Sequence, residues 1–142
     1  MPAKRREVRE AAFLLSFEKL FRQEDMLEDI FEAALEINEI LVDDEVESVV
    51  RGIYERREEL DQIIAKYSDK RAVSRIPKIN LAVLRLAIYE ALYDEKVPVN
   101  VAISEAVSLT QKYALEPDIA FVNGVLGSFA KSLNSEKEDK AE

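Results

Sequence analysis

The sequence predicts an all-α fold of six or seven helices, and two observations predict it. Apolar residues recur at helical spacing along most of the chain, and the alternation typical of strands is nearly absent. Three of the four prolines, Pro77, Pro98 and Pro117, each stand just before a strong helical pattern. A chain of this length forms one domain or two small subdomains.

The first helix is expected over about residues 4–22. Val8, Ala12 and Leu15, with Phe13, Phe17, Leu20 and Phe21, give it a broad apolar face. Gln23-Glu24-Asp25 reads as a turn. A second helix follows over about 26–39, with Leu27, Ile30, Phe31, Ala34, Leu35 and Ile37 inward. Acids at Asp25, Glu28 and Asp29 suit its positive amino end. Asp43 reads as the cap of a third helix reaching about Tyr67, roughly 35 Å long at 1.5 Å per residue. Val46, Val49, Val50, Ile53, Leu60, Ile63, Ile64 and Tyr67 share its inner face.

The prolines set the remaining helices at about 77–94, 98–114 and 117–133. Proline suits the first helical position, where its missing N–H has no partner to lose, and it disfavours helix in the residue before it. The helix from Pro77 is apolar nearly all round, from Ile79 to Leu92, so it is expected to be packed from several sides. Arg85 and Glu90 in that helix are expected to satisfy buried polar partners, because such charges are seldom buried alone. Residues 134–142 read as a disordered acidic tail. The polar segment Ser68 to Arg75 divides the chain into expected subdomains of about 1–67 and 76–133, three helices in each.

Much chemistry is excluded by composition. The chain has no cysteine and no histidine. Disulfides, thiolate nucleophiles, thiolate zinc sites and the Ser/His/Asp arrangement are therefore unavailable. No calcium-loop spacing occurs, and Gly52, Gly124 and Gly127 cannot build a phosphate cradle. No catalytic residue, metal or cofactor is expected. The apolar stretch Ile79 to Tyr89 is too short to span a membrane and is broken by Asn80 and Arg85. Lys4-Arg5-Arg6 before Ala11 to Leu15 imitates a signal peptide, but Glu7, Glu10 and Glu18-Lys19 break the pattern. The expected location is the cytoplasm.

Charge is unevenly distributed. Residues 1–9 hold Lys4, Arg5, Arg6 and Arg9 against Glu7, a net of +3, so the rest carries -12 of a total of -9. The run from Lys70 to Tyr89 contains Lys70, Arg71, Arg75, Lys78 and Arg85 and no acid, in a chain with 29 acidic residues. Two basic islands on an acidic body suggest a local anionic footprint. Charge alone more readily fits two solvated surfaces, with Arg85 serving the core.

Three phrases then carry a resemblance. Leu84-Arg85-Leu86-Ala87-Ile88-Tyr89-Glu90, Val97-Pro98-Val99-Asn100-Val101-Ala102-Ile103-Ser104-Glu105-Ala106-Val107 and Phe121-Val122-Asn123-Gly124-Val125-Leu126 follow in this order and spacing. Together they resemble the bacterial transcription antitermination factor NusB, and the likeness extends from Arg6 to about Leu133. The amino-terminal domain of certain ribosomal-RNA cytosine methyltransferases shares the architecture. Those chains continue into a catalytic domain, whereas this one ends at Glu142, so methyl transfer is not expected.

The resemblance implies two three-helix bundles. It also implies binding of the single-stranded boxA segment of nascent ribosomal RNA together with NusE, a small-subunit ribosomal protein, within an RNA polymerase antitermination complex. The family's arginine-rich amino terminus matches Arg5, Arg6 and Arg9, and a further RNA-facing region matches Arg75, Lys78 and Asn80; Lys4, Arg5, Arg6, Arg9, Arg75 and Lys78 are then expected to contact the phosphate backbone. The resemblance makes Phe17 and Phe121 the base-stacking candidates, although aromatic residues at helical spacing more often belong to a core. The Asn123-Gly124 pair is expected to serve close helix packing. NusE would dock on exposed apolar residues of the carboxy-terminal half, drawn to acids such as Glu95 and Glu116. A homodimer that buried the basic islands would be autoinhibitory. Four positions depart from the family pattern: Glu7 interrupts the arginine cluster, Ala120 replaces a common lysine, Ser104 a common asparagine, and Asn80 a common acid. The competing reading is a helical protein-interaction module with no RNA binding of its own.

Overall fold

Asp43 closes the amino end of a helix as its sequence position predicts. Its backbone is extended, and its carboxylate accepts the Val46 N–H at 2.9 Å. Such a cap satisfies one of the donors that a helix start leaves without a partner. The computed structural model of the chain describes residues 2–37, 39–69 and 71–141, with side chains described over 5–134 except at 38 and 70. Among the described residues there are seven α-helices, one 3₁₀ turn and no strand. The helices fall into two compact units, Met1–Arg57 and Glu58–Glu142.

The first unit contains α1 (Pro2–Phe21), α2 (Leu27–Ile37) and α3 (Asp44–Glu55), with α1 packed on both others. Val8, Ala12, Phe13, Leu15, Ile30, Phe31, Val46 and Val50 form its core. The carboxyl end of α1 is closed by Lys19, whose ammonium donates to the Gln23 carbonyl at 2.8 Å. A cation there also meets the negative end of the helix dipole. The expected turn follows, held by Arg22 between Glu18 (3.0 Å) and Asp25 (2.6 Å). At the start of α2, Asp29 accepts the Met26 N–H at 3.3 Å, the carboxylate half of a capping box. Arg51 of α3 donates to Glu28 of α2 at 2.7 Å and holds that carboxyl below its usual range. Both side chains are well exposed, so the pair adds little stability.

The single helix expected over 43–67 is two. Arg56 leaves the helical region with φ -102° and ψ 13°, and α4 (Arg57–Tyr67) begins immediately after it. Arg57 braces the break. Its guanidinium donates to the Tyr54 carbonyl at 2.8 Å and lies 4.0 Å from the Tyr54 ring centroid, holding that carbonyl with a side chain. The units also part here rather than in the segment Ser68 to Arg75, because α4 is tied to a later helix.

That helix is α5 (Lys78–Tyr93), which follows the 3₁₀ turn Val73–Arg75 and packs on α6 (Val99–Tyr113) and α7 (Glu116–Ala141). Its burial is nearly all round, covering Asn80 to Leu84, Leu86 to Ile88 and Glu90. Arg85 forms two bonds to the Asp61 carboxylate of α4, at 2.7 and 2.6 Å. Tyr93 of α5 donates its hydroxyl to Glu59 of α4. Pro77 and Pro98 sit at the caps, one position before the first helical residue, and their carbonyls accept the N–H groups of Leu81 and Ala102, each at 3.0 Å. Pro117 lies just inside α7. The backbone of α7 continues past Leu133, and the side chains of the tail from Ser135 lie outside the described residues. No described helix is long and apolar enough to cross a membrane.

Candidate nucleic-acid interface

In the second unit, one hydrogen bond organises the candidate residues. Asn80, in the first turn of α5, donates its amide to the Asp118 carboxylate in the first turn of α7 at 2.9 Å. The bond joins two helix starts. Lys78 and Arg75 stand exposed just before Asn80, and Phe121 lies three residues beyond Asp118, about one turn along α7.

Asn80 itself is 1% exposed, so the expected RNA contact at this position is corrected. Its side chain is spent inside the fold, and its Oδ1 has no partner among the described residues. It acts on the site by holding α5 to α7. The amide at position 80 donates to Asp118, which an ionised acid there could not do.

Phe121 is half-buried, and the Arg71 guanidinium carbon lies 4.9 Å from its ring centroid. Both line a groove of about 510 Å³ together with Tyr67, Asp69, Ala120 and Gly124. Gly124 does not serve close packing as expected. It is exposed, and a Cβ built on it would meet nothing within 4 Å. The bare backbone instead keeps the helix surface open beside Phe121. Asn123 is likewise exposed.

The first unit carries the remaining candidates, all on α1. Arg6 is exposed and Arg5 half-buried. Arg9 is only 5% exposed and engages other groups, which corrects its assignment as a freely available phosphate contact. Phe17 stacks on Phe13, with ring centroids 6.1 Å apart and planes 17° apart, and meets Phe21 edge-on at 5.0 Å. An aromatic row at i, i+4 spacing accounts for Phe17, so the structural alternative is the better reading of that ring. Lys4 lies outside the residues whose side chains are described.

Arg71 and Asp69 line this groove although the sequence did not mark them as candidates. Arg71 belongs to the acid-free run, and the spacing Phe121-x-x-Gly124 sets a ring and a bare position on neighbouring turns. Those were the available signals. A second groove, about 930 Å³, runs between α6 and α7 and is lined by Asn100, Ser104, Gln111, Asn123 and Gly127 among others. Val101 of α6 and Leu115 before α7 are large apolar residues left exposed in the same unit. No group of acids that could hold a metal ion occurs among the described residues.

The chain matches the model of the NusB family over residues 6–131. It belongs to the NusB family. The transcription antitermination protein NusB of Acetivibrio thermocellus is 40% identical over 129 residues, covering 89% of this chain and 88% of that protein. The match to NusB of Thermoanaerobacter sp. (strain X514) is 46% identical over 86 residues and spans 61% of each chain. Among solved structures, a complex of the antitermination factors NusB and NusE with double-stranded RNA is similar at a TM-score of 0.79 and 27% identity. That alignment covers 93% of this chain and 99% of the matched one. The all-helical architecture is thus that of the NusB family.

Proposed function

We propose that this chain is an RNA-binding transcription antitermination factor. With NusE it binds boxA-type single-stranded RNA in nascent ribosomal transcripts and helps assemble the antitermination complex on RNA polymerase. The observation that carries this reading is the end of the second unit, where Arg75, Lys78 and Arg71 accompany a part-exposed Phe121 ring. Guanidinium and ammonium groups attract phosphates, and an aromatic face accepts a splayed base. Arg5 and Arg6 supply a further basic island on α1. The solved relative with NusE and RNA supports both partners.

The chain acts by binding and carries no catalytic step. Its place is the cytoplasm, where transcription occurs. NusE docks on the second unit, using the groove between α6 and α7 with the exposed apolar residues Val101 and Leu115. The exposed acids Glu95 and Glu116 favour a basic ribosomal protein there.

The deciding experiment titrates a labelled boxA-type oligonucleotide with the protein, with and without purified NusE, against a scrambled control. Sequence-preferring binding that tightens with NusE is expected. Equal binding of both oligonucleotides, or none at low salt with NusE present, would move the function to a protein-only interaction module.

A further inference from the structure

The groove beside Phe121 contains more than a stacking ring. Arg71 brings a planar cation over the ring, and both ring faces and guanidinium planes are surfaces on which bases stack. Gly124 leaves the next turn of α7 bare, so nothing fills the space alongside. Asp69 lines the same groove with φ at 55°, a left-handed conformation that L-residues seldom adopt and that Asp tolerates better than most. Although Asp69 and Arg71 are two positions apart and share the groove, no ion pair joins them among the described residues. The groove thus holds a carboxylate that is not paired with this cation, the cation itself and an aromatic face.

We propose that this groove is a nucleobase pocket, in which an unpaired RNA base seats against Phe121 and Arg71 while the Asp69 carboxylate selects bases bearing an edge amino group. The inference rests on the RNA-binding reading and adds which bases the site takes. An ionised carboxylate only accepts hydrogen bonds. Cytosine N4, adenine N6 and guanine N2 each offer amino hydrogens to such an acceptor. Uracil offers one N3–H flanked by two carbonyl oxygens, and these repel a carboxylate. The pocket therefore disfavours uracil.

The test uses the full chain with NusE and single-stranded oligonucleotides in which each position in turn carries each base. At one position the wild type should bind the amino-bearing bases about tenfold more tightly than uracil, the scale of one good base-edge contact. Asp69→Asn keeps a residue that tolerates the left-handed conformation and removes the acceptor-only group, and Asp69→Gly removes the side chain altogether. Both should bring that ratio close to one. Arg71→Gln should weaken binding of every oligonucleotide about tenfold, the scale of a lost stacking partner. If both Asp69 variants shift all oligonucleotides by one common factor, they have only relieved repulsion of phosphates, and base selection is overturned. Unchanged affinity in Arg71→Gln overturns the pocket. Binding that persists, depends on Arg5 and Arg6 and ignores position 69 defeats this inference alone. No binding by the wild type defeats the RNA reading and this one with it.

Discussion

Arg85 sits in the most buried helix of the chain, and Asp61 makes that position tenable. Two short bonds in a fork geometry satisfy both charges, with side chains 13% and 23% exposed. Removing one partner leaves the other charge half-buried and unpaired. Arg85→Ala should therefore cost about 2–4 kcal/mol, toward the lower end for a pair that is not fully dry. A urea melt checks this, and a loss below about 0.5 kcal/mol would mean that water replaces the partner. Asn80 makes a second residue-scale case. Restoring an acid with Asn80→Asp would set two carboxylates at hydrogen-bond distance in a buried place, where both cannot ionise at low cost. One of them would then titrate above its usual value. Protonating it relieves the repulsion and supplies a donor, so the variant should be least stable relative to the wild type at pH 7. The gap should narrow as the pH falls toward 5. Melting temperatures of both proteins across that range would show it, and a gap independent of pH would exclude the carboxylate pair as the cause.

Helix type and order were legible from periodicity and punctuation, because an apolar stripe and a proline act through local geometry. Asp43 capped the helix expected of it, and Gln23-Glu24-Asp25 turned where the pattern lapsed. The break at Arg56 was not legible. The apolar spacing from Val46 to Tyr67 runs through it, and the bracing bond from Arg57 to the Tyr54 carbonyl depends on a side-chain conformation that spacing does not encode. The burial of Asn80 was hidden for a similar reason: an amide reads as surface until its partner, 38 positions away, is known. Gly124 misled in the opposite direction. A glycine inside a helix usually signals a close neighbour, whereas here the space beside it is open. Gly124→Ala should therefore raise stability by about 0.5–1 kcal/mol, the ordinary gain in helix propensity. For a chain of this size that is a rise of about 1–4 °C in melting temperature. The same methyl group narrows the groove beside Phe121, so RNA affinity should fall several-fold while stability rises. A lowered melting temperature would reveal a contact at this position, and unchanged affinity would remove Gly124 from the interface.

At the scale of the whole molecule, a net charge of -9 repels RNA, so binding must depend on a few local cations. Arg5 and Arg6 on the first unit, with Arg75 and Lys78 on the second, are the proposed phosphate contacts. Each contact to a single strand releases condensed counterions and contributes about -0.7 to the slope of log affinity against log salt. Four contacts give a slope near -3, by the same rule approximately. Neutralising Arg75 and Lys78 together should reduce its magnitude by about 1.4, and neutralising Arg5 and Arg6 should do the same. The comparison separates mechanism from mere affinity. A contact to a base edge lost by mutation weakens binding at every salt concentration and leaves the slope alone, whereas a lost phosphate contact flattens the line. If only the second pair changes the slope, the arginines of α1 serve the fold and the RNA path is confined to the second unit. If neither pair changes it, the basic islands are solvated surfaces, and the affinity of this acidic protein for RNA would have to come from NusE.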